Sequence, residues 1–158
     1  MIHTLPETNK TFSKILLAIE ESKTSTSSAR AIDYAIKVAR DYDAQLIILH
    51  VIRSANTNLQ NMSLPSYVIE MKKRTQSSLI KITEKIHEES DKQNVLRIKT
   101  DIVASSRIAD AIVNYAKDKH MDLIVVGSRG RSKFKSMLLG SVASDVVRYA
   151  HCPVLTVK

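Results

Sequence analysis

Leu123–Val142, LIVVGSRGRSKFKSMLLGSV, is the stretch on which the reading of this chain turns. It opens on an apolar run (Leu123, Ile124, Val125, Val126) with the length and composition of a buried strand. All three glycines of the 158-residue chain, Gly127, Gly130 and Gly140, lie inside it. Average glycine usage near 7% predicts about 11 in a chain of this size, so the other turns are made without glycine. Glycine serves where φ is positive, or where backbone must approach a ligand with no Cβ between. A basic loop follows (Arg129, Arg131, Lys133, Lys135), and Gly140-Ser141 opens an amphipathic helix carrying Val142, Val146 and Val147. A helix start offers unpaired N–H groups and a positive dipole end, which favour an anion. The stretch reads as a phosphate cradle.

Outward from it, the chain alternates strand and helix. Lys14 to Ile19 is a first buried strand. The segment Ser22 to Ser28 supplies turn and N-cap chemistry for a helix with Ala29, Ile32, Ala35, Ile36 and Ala39 along one face. Gln45 to Ile52 is the second strand. Ser54 to Leu64 is a polar connection, and Pro65 suits the first turn of a long helix with the stripe Val68, Met71, Thr75, Leu79, Ile82 and Ile86. Val95 to Val103 alternates like a strand with one wetter face. Ser105-Ser106 is placed to cap a helix presenting Ile108, Ala111, Ile112 and Tyr115. Pro153 to Val157 closes the chain as a fifth strand, with proline where no ladder donor is needed. The alternation implies a single α/β domain over 14–158, a parallel sheet with helices on both faces, behind a polar lead-in over 1–13. In such sheets a ligand sits beyond the carboxyl ends of the strands, where strand order reverses, and the glycine loop lies beyond a strand's carboxyl end.

The bulk numbers narrow the setting. Apolar content of 44% and charged content of 25% are ordinary for a globular protein. The single cysteine, Cys152, has no internal disulfide partner, which points to a reducing, cytoplasmic setting. No leader pattern stands at the start and no apolar run is long enough to span a bilayer. The net charge of +8 suits a polyanion. Lys72, Lys73, Lys81 and Lys85, however, sit at helical spacing and read as solvated faces, and no cluster of stacking aromatics accompanies them, which argues against a nucleic-acid surface.

Other chemistries lack an anchor. Neither Gly-Lys-Ser/Thr nor Gly-x-Gly-x-x-Gly occurs, which excludes the Walker loop and the dinucleotide signature. No Gly-x-Ser-x-Gly elbow appears. The five histidines show no two-ligand helical spacing, so no protein-built metal site is expected. His50 reads as a core or cleft-edge residue, and Cys152 as buried or interfacial rather than nucleophilic. No catalytic residue is assigned, and an efficient enzyme is not expected.

The spacing Gly-x2-Gly-x9-Gly-Ser, from Gly127-Ser128-Arg129-Gly130 to Gly140-Ser141, resembles the ATP-binding motif of the universal stress protein family. The likeness runs from Lys14 to the C-terminus and includes His151 to Val157 as the closing strand. It implies a five-stranded parallel sheet in the order 3-2-1-4-5, ATP (or ADP or AMP) held between the first and fourth strands, magnesium carried on the phosphates, and a homodimer through the last strands. By position, it implies that Ala18 and Ile19 flank adenine and that Val51 meets it through backbone. Glu20 stands where an aspartate usually holds ribose. Val126, Gly127, Arg129 and Gly130 would wrap ribose and phosphates, and Gly140, Ser141 and Val142 would receive phosphate at the helix start.

Two departures follow. The first loop reads Glu20-Glu21-Ser22 where the family has Asp-Gly-Ser, and Glu21 adds negative charge near the phosphates. Two unit charges at 4 Å in water repel by about 1 kcal/mol, which bears on the tightness of ATP binding. The connection Ala104-Ser105-Ser106-Arg107 also lacks the Gly and Pro often found there. The leading expectation is a small ATP-binding stress or signalling protein acting as a homodimer. Two alternatives stand beside it: a dimeric interaction module independent of nucleotide, motivated by Glu20-Glu21, and a slow ATPase or self-phosphorylating regulator using Ser132, Ser136 or Ser141.

Overall fold

Lys14–Ile19 (β1) is the middle of a five-stranded sheet, because its apolar run is shielded on both faces: Ile15, Leu16 and Leu17 are fully buried. The computed structural model describes residues 11–19, 26–54, 66–88, 96–128 and 139–158. The remaining elements, in chain order, are α1 (Thr26–Asp41), β2 (Gln45–Arg53), α2 (Ser66–Glu88), β3 (Ile98–Ser105), α3 (Ile108–Asp118), β4 (Leu123–Gly127), α4 (Ser141–Tyr149) and β5 (Val154–Val157). Every strand pairing is parallel, and the order is β3-β2-β1-β4-β5, as the sequence reading expected. Strand order reverses between β1 and β4, whose register sets Ala18 opposite Val126.

Period-two alternation divides the core into two layers. Ile15, Leu17, Leu46, Ile48, Leu123 and Val125 face α1 and α2, where Ala31, Ala35, Ala39, Leu79 and Ile86 meet them. Leu16, Ile47, Leu49, Val51, Ile124 and Val126 face α3 and α4, where Ala109, Ile112, Ala116, Ala143 and Val146 meet them. Each fully buried Leu, Ile or Val contributes about 1.5–3 kcal/mol relative to exposure. Small alanines on the helices let α1 and α3 lie close against the strands.

The amino ends of the strands are tied by one carboxylate. Asp122 Oδ2 accepts from the Ser13 and Lys14 N–H groups at 2.8 and 2.9 Å, while the Asp122 N–H donates to the Lys14 carbonyl at 2.9 Å. Ser13, read from sequence as the end of the lead-in, is therefore already held, and the Phe12 ring packs edge-on against Tyr42 with centroids 4.9 Å apart.

Several boundaries and faces differ from the sequence reading. The third strand begins at Ile98 rather than Val95 and continues to Ser105, because its ladder with β2 runs to the pair Arg53–Ser105. Ser105 is thus a strand residue, not a helix cap. Its Oγ accepts from the Arg107 N–H at 3.1 Å, and Arg107 is the N-cap of α3, with no side-chain cap bond. The buried stripe of α1 is Ala31, Ala35 and Ala39, with Ala29 exposed. On α4, Val146 is buried and Val147 is 48% exposed, since the face turned to the sheet is Ala143–Val146.

Candidate functional site

The carboxyl ends of β1 and β4 open side by side at the reversal point, where an open α/β sheet leaves room for a ligand. Ala18 and Ile19 end β1 half-buried, with Ile19 opposite the buried His50 of β2. Val51, one residue on, is 8% exposed. Across β1, Val126 is buried and Gly127 half-exposed at the last position of β4. These five sequence-assigned residues, Ala18, Ile19, Val51, Val126 and Gly127, lie within the last three positions of three adjacent strands.

Gly140, Ser141 and Val142 come to the same edge through one residue that the site assignment omitted. Ser128 follows β4 directly; its carbonyl accepts from the Gly140 N–H at 2.7 Å, and its own N–H donates to the Val157 carbonyl at 2.6 Å. The start of α4 is thereby fixed against the exit of β4 and the end of β5. Ser128 is 1% exposed, and its Oγ has no hydrogen-bond partner among the described residues. The sequence signal for it was its place inside the motif, as the polar residue at a strand exit between Gly127 and Arg129.

Gly140 is the N-cap of α4, with φ −68° and ψ 158° and no side-chain cap bond. Its carbonyl accepts the first helical bond, from the Ser144 N–H at 2.8 Å. The first-turn N–H groups of Ser141, Val142 and Ala143 precede any intrahelical acceptor, which leaves them available to an anion. No described glycine has positive φ. Of the two uses foreseen for glycine, the left-handed backbone is thus absent at Gly127 and Gly140. The left-handed turns are taken instead by Asp43 (φ 48°) and His120 (φ 53°), which end α1 and α3. At both, the next residue's N–H reaches back five residues, Ala44 to Ala39 and Met121 to Ala116, each at 2.8 Å.

Glu20, Arg129 and Gly130 of the expected site lie outside the described residues, as do Glu21, Ser132 and Ser136. Among the described residues no group of histidine, cysteine and carboxylate side chains is arranged to hold a metal ion. Cys152 is half-buried, and burial, with the nearby Asp122 charge, raises its thiol pKa, which disfavours a nucleophilic thiolate. A separate cleft of about 460 Å³, lined by Asp33, Ile36, Lys37, Arg40, Asp41 and Ile86, lies toward the carboxyl end of α1. That is the amino end of the sheet, opposite the start of α4.

Comparison with known proteins agrees with this arrangement. Residues 11–158 match the model of the universal stress protein family. The universal stress protein YxiE of Bacillus subtilis is 38% identical over 152 residues, spanning 93% of this chain and 99% of that protein. Among solved structures, universal stress protein UspA from Lactobacillus plantarum superposes with a TM-score of 0.72 at 21% identity, covering 93% of this chain and 98% of its own, a likeness of fold. A universal stress protein solved in complex with cAMP superposes at 0.65 with 25% identity, covering 94% and 98% of the two chains. The match of residues 11–158 to the family model, together with the parallel 3-2-1-4-5 sheet, places this chain in the universal stress protein family.

Proposed function

We propose that the chain is a cytoplasmic adenine-nucleotide-binding signalling protein that holds ATP or a related nucleotide at the β1–β4 reversal point and acts as a homodimer. The observation that carries the reading is the Ser128–Gly140 bond of 2.7 Å, which sets a helix start bare of side-chain caps beside the strand exit. Adenine would lie against Ala18, Ile19 and the Val51 backbone, ribose and phosphates along Val126, Gly127, Arg129 and Gly130, with phosphate oxygens at the N–H groups of Ser141 and Val142. Glu20 would meet ribose. The absent Cβ of Gly140 leaves the room such an anion needs. Magnesium would ride on the phosphates, in keeping with oxygen-rich ligation that needs no protein cage. A structural relative solved with cAMP supports the class of ligand.

The dimer reading rests on β5, which ends the sheet with no described strand beyond it, and on the exposed Val147 and Tyr149 of the neighbouring α4. Thermal unfolding with ATP and magnesium, ADP, AMP and cAMP in turn tests the ligand. A nucleotide at about 100 times its dissociation constant adds about 2.7 kcal/mol to a fold that alone binds it. A rise in melting temperature with at least one of the four is the expected result. Unchanged melting with all four overturns the nucleotide reading in favour of a nucleotide-independent interaction module.

A further inference from the structure

An open sheet has two edges, and here the longer is β3, with eight residues against four in β5. Exposed edges are templates for pairing with another chain. In a parallel strand the N–H and C=O of one residue point to the same side, and sides alternate along the strand. The Arg97 carbonyl accepts from the Leu46 N–H at 2.8 Å and the Ser105 carbonyl from the Ser54 N–H at 3.0 Å, so odd-numbered residues of β3 bond to β2. The backbone groups of Ile98, Thr100, Ile102 and Ala104 therefore face outward. Lys99, Thr100 and Asp101, in the middle of this edge, are exposed.

Asp101 occupies that middle in a fixed way. Its Oδ1 accepts from the outward N–H of Ile102 at 2.8 Å, and its Oδ2 accepts from the Tyr115 hydroxyl of α3 at 3.0 Å. The carboxylate is thus clamped between an edge amide and a helix side chain. A strand arriving at β3 would find the Ile102 donor already taken and a fixed negative charge where its own carbonyl must come. We propose that Asp101, positioned by Tyr115, closes the β3 edge to strand pairing with a second copy of this chain. An edge that accepts a copy on one side only gives a closed pair, whereas two open edges give an extending array. The closure of β3 stands whether or not β5 forms the dimer; the limit to a closed pair rests on the β5 reading.

The test measures molar mass by light scattering over a concentration series, together with amide exchange at Ile102. The variants are Asp101→Ala, which removes charge and acceptor, Asp101→Asn, which keeps an acceptor, and Tyr115→Phe, which frees the carboxylate. At low concentration Asp101→Ala is expected to exchange the Ile102 amide faster, and with rising concentration to reach about twice the native mass or more. Tyr115→Phe should show a smaller rise and Asp101→Asn the least. The mass gain should persist in Asp101→Ala/Thr156→Pro, where β5 has lost the outward Thr156 donor, which separates this proposal from the β5 dimer. Faster Ile102 exchange in a folded Asp101→Ala with unchanged mass overturns it. If Asp101→Ala does not fold, native mass and native Ile102 exchange in a folded Tyr115→Phe overturn it equally.

Discussion

The Gly140 N–H donates to the Ser128 carbonyl at 2.7 Å, joining the two ends of the segment between β4 and α4 across twelve positions of sequence. Whatever path 129–138 takes, it leaves and returns at the same place on the sheet's carboxyl edge. Gly140 holds extended backbone angles open to any residue. Gly140→Ala should therefore fold with stability within about 1 kcal/mol of native, reduced freedom of the unfolded chain offsetting alanine's weakness at a helix N-cap. Denaturant unfolding checks this, and the same variant should lose nucleotide affinity because a Cβ fills the approach.

At β5, the Pro153 carbonyl accepts from Ile124 and the Val157 carbonyl from Ser128, so odd-numbered residues bond inward and the Thr156 N–H points away from β4. Thr156→Pro deletes an outward donor and spares the ladder, the placement in which an edge strand tolerates proline. Light scattering should show native dimer becoming monomer in the variant, with secondary structure retained.

Asp122 spans 108 residues of sequence to bind the Lys14 N–H. Asp122→Ala removes two charge-assisted bonds and frees two amides at the entry to β1. A loss of about 1–3 kcal/mol is expected from urea unfolding, with nucleotide affinity of the folded fraction unchanged, since this tie lies at the far end of the sheet.

The Tyr115 phenol pKa is raised from 10.0 to about 12 by burial first, then by its hydrogen bond to Asp101 and that carboxylate's charge. The fold favours the neutral phenol, so its contribution is complete below pH 10 and is lost as pH climbs toward about 12. Unfolding profiles of native protein and Tyr115→Phe should run in parallel up to pH 10, and the native profile should fall more steeply above it.

The sheet was legible because five apolar runs alternate with helical stripes, and burial on both faces permits little else. Glycine is absent outside Leu123–Val142, and the left-handed turns at Asp43 and His120 show how the chain does without it. What was not legible depends on contacts between distant residues. Asp122 looks like any polar residue before a strand until Ser13 and Lys14 arrive beside it. Val147 shares the valine pattern of α4, yet the crossing of that helix over the sheet turns it outward. Ser105 looked like a cap because serine so often is one, and pairing with Arg53 made it strand instead. Ser128 acts through its backbone groups, so its place inside the motif is the one signal the sequence carries for it.

The central claim is the place of the nucleotide, and a backbone amide titration by NMR with ATP and magnesium measures it most directly. The account predicts that the largest shifts gather on Ile19, Val51, Gly127, Ser128, Gly140, Ser141 and Val142, saturating together with one affinity. Shifts centred instead on the cleft of Asp33, Lys37 and Ile86, or no saturable shift at any of the seven, would contradict it.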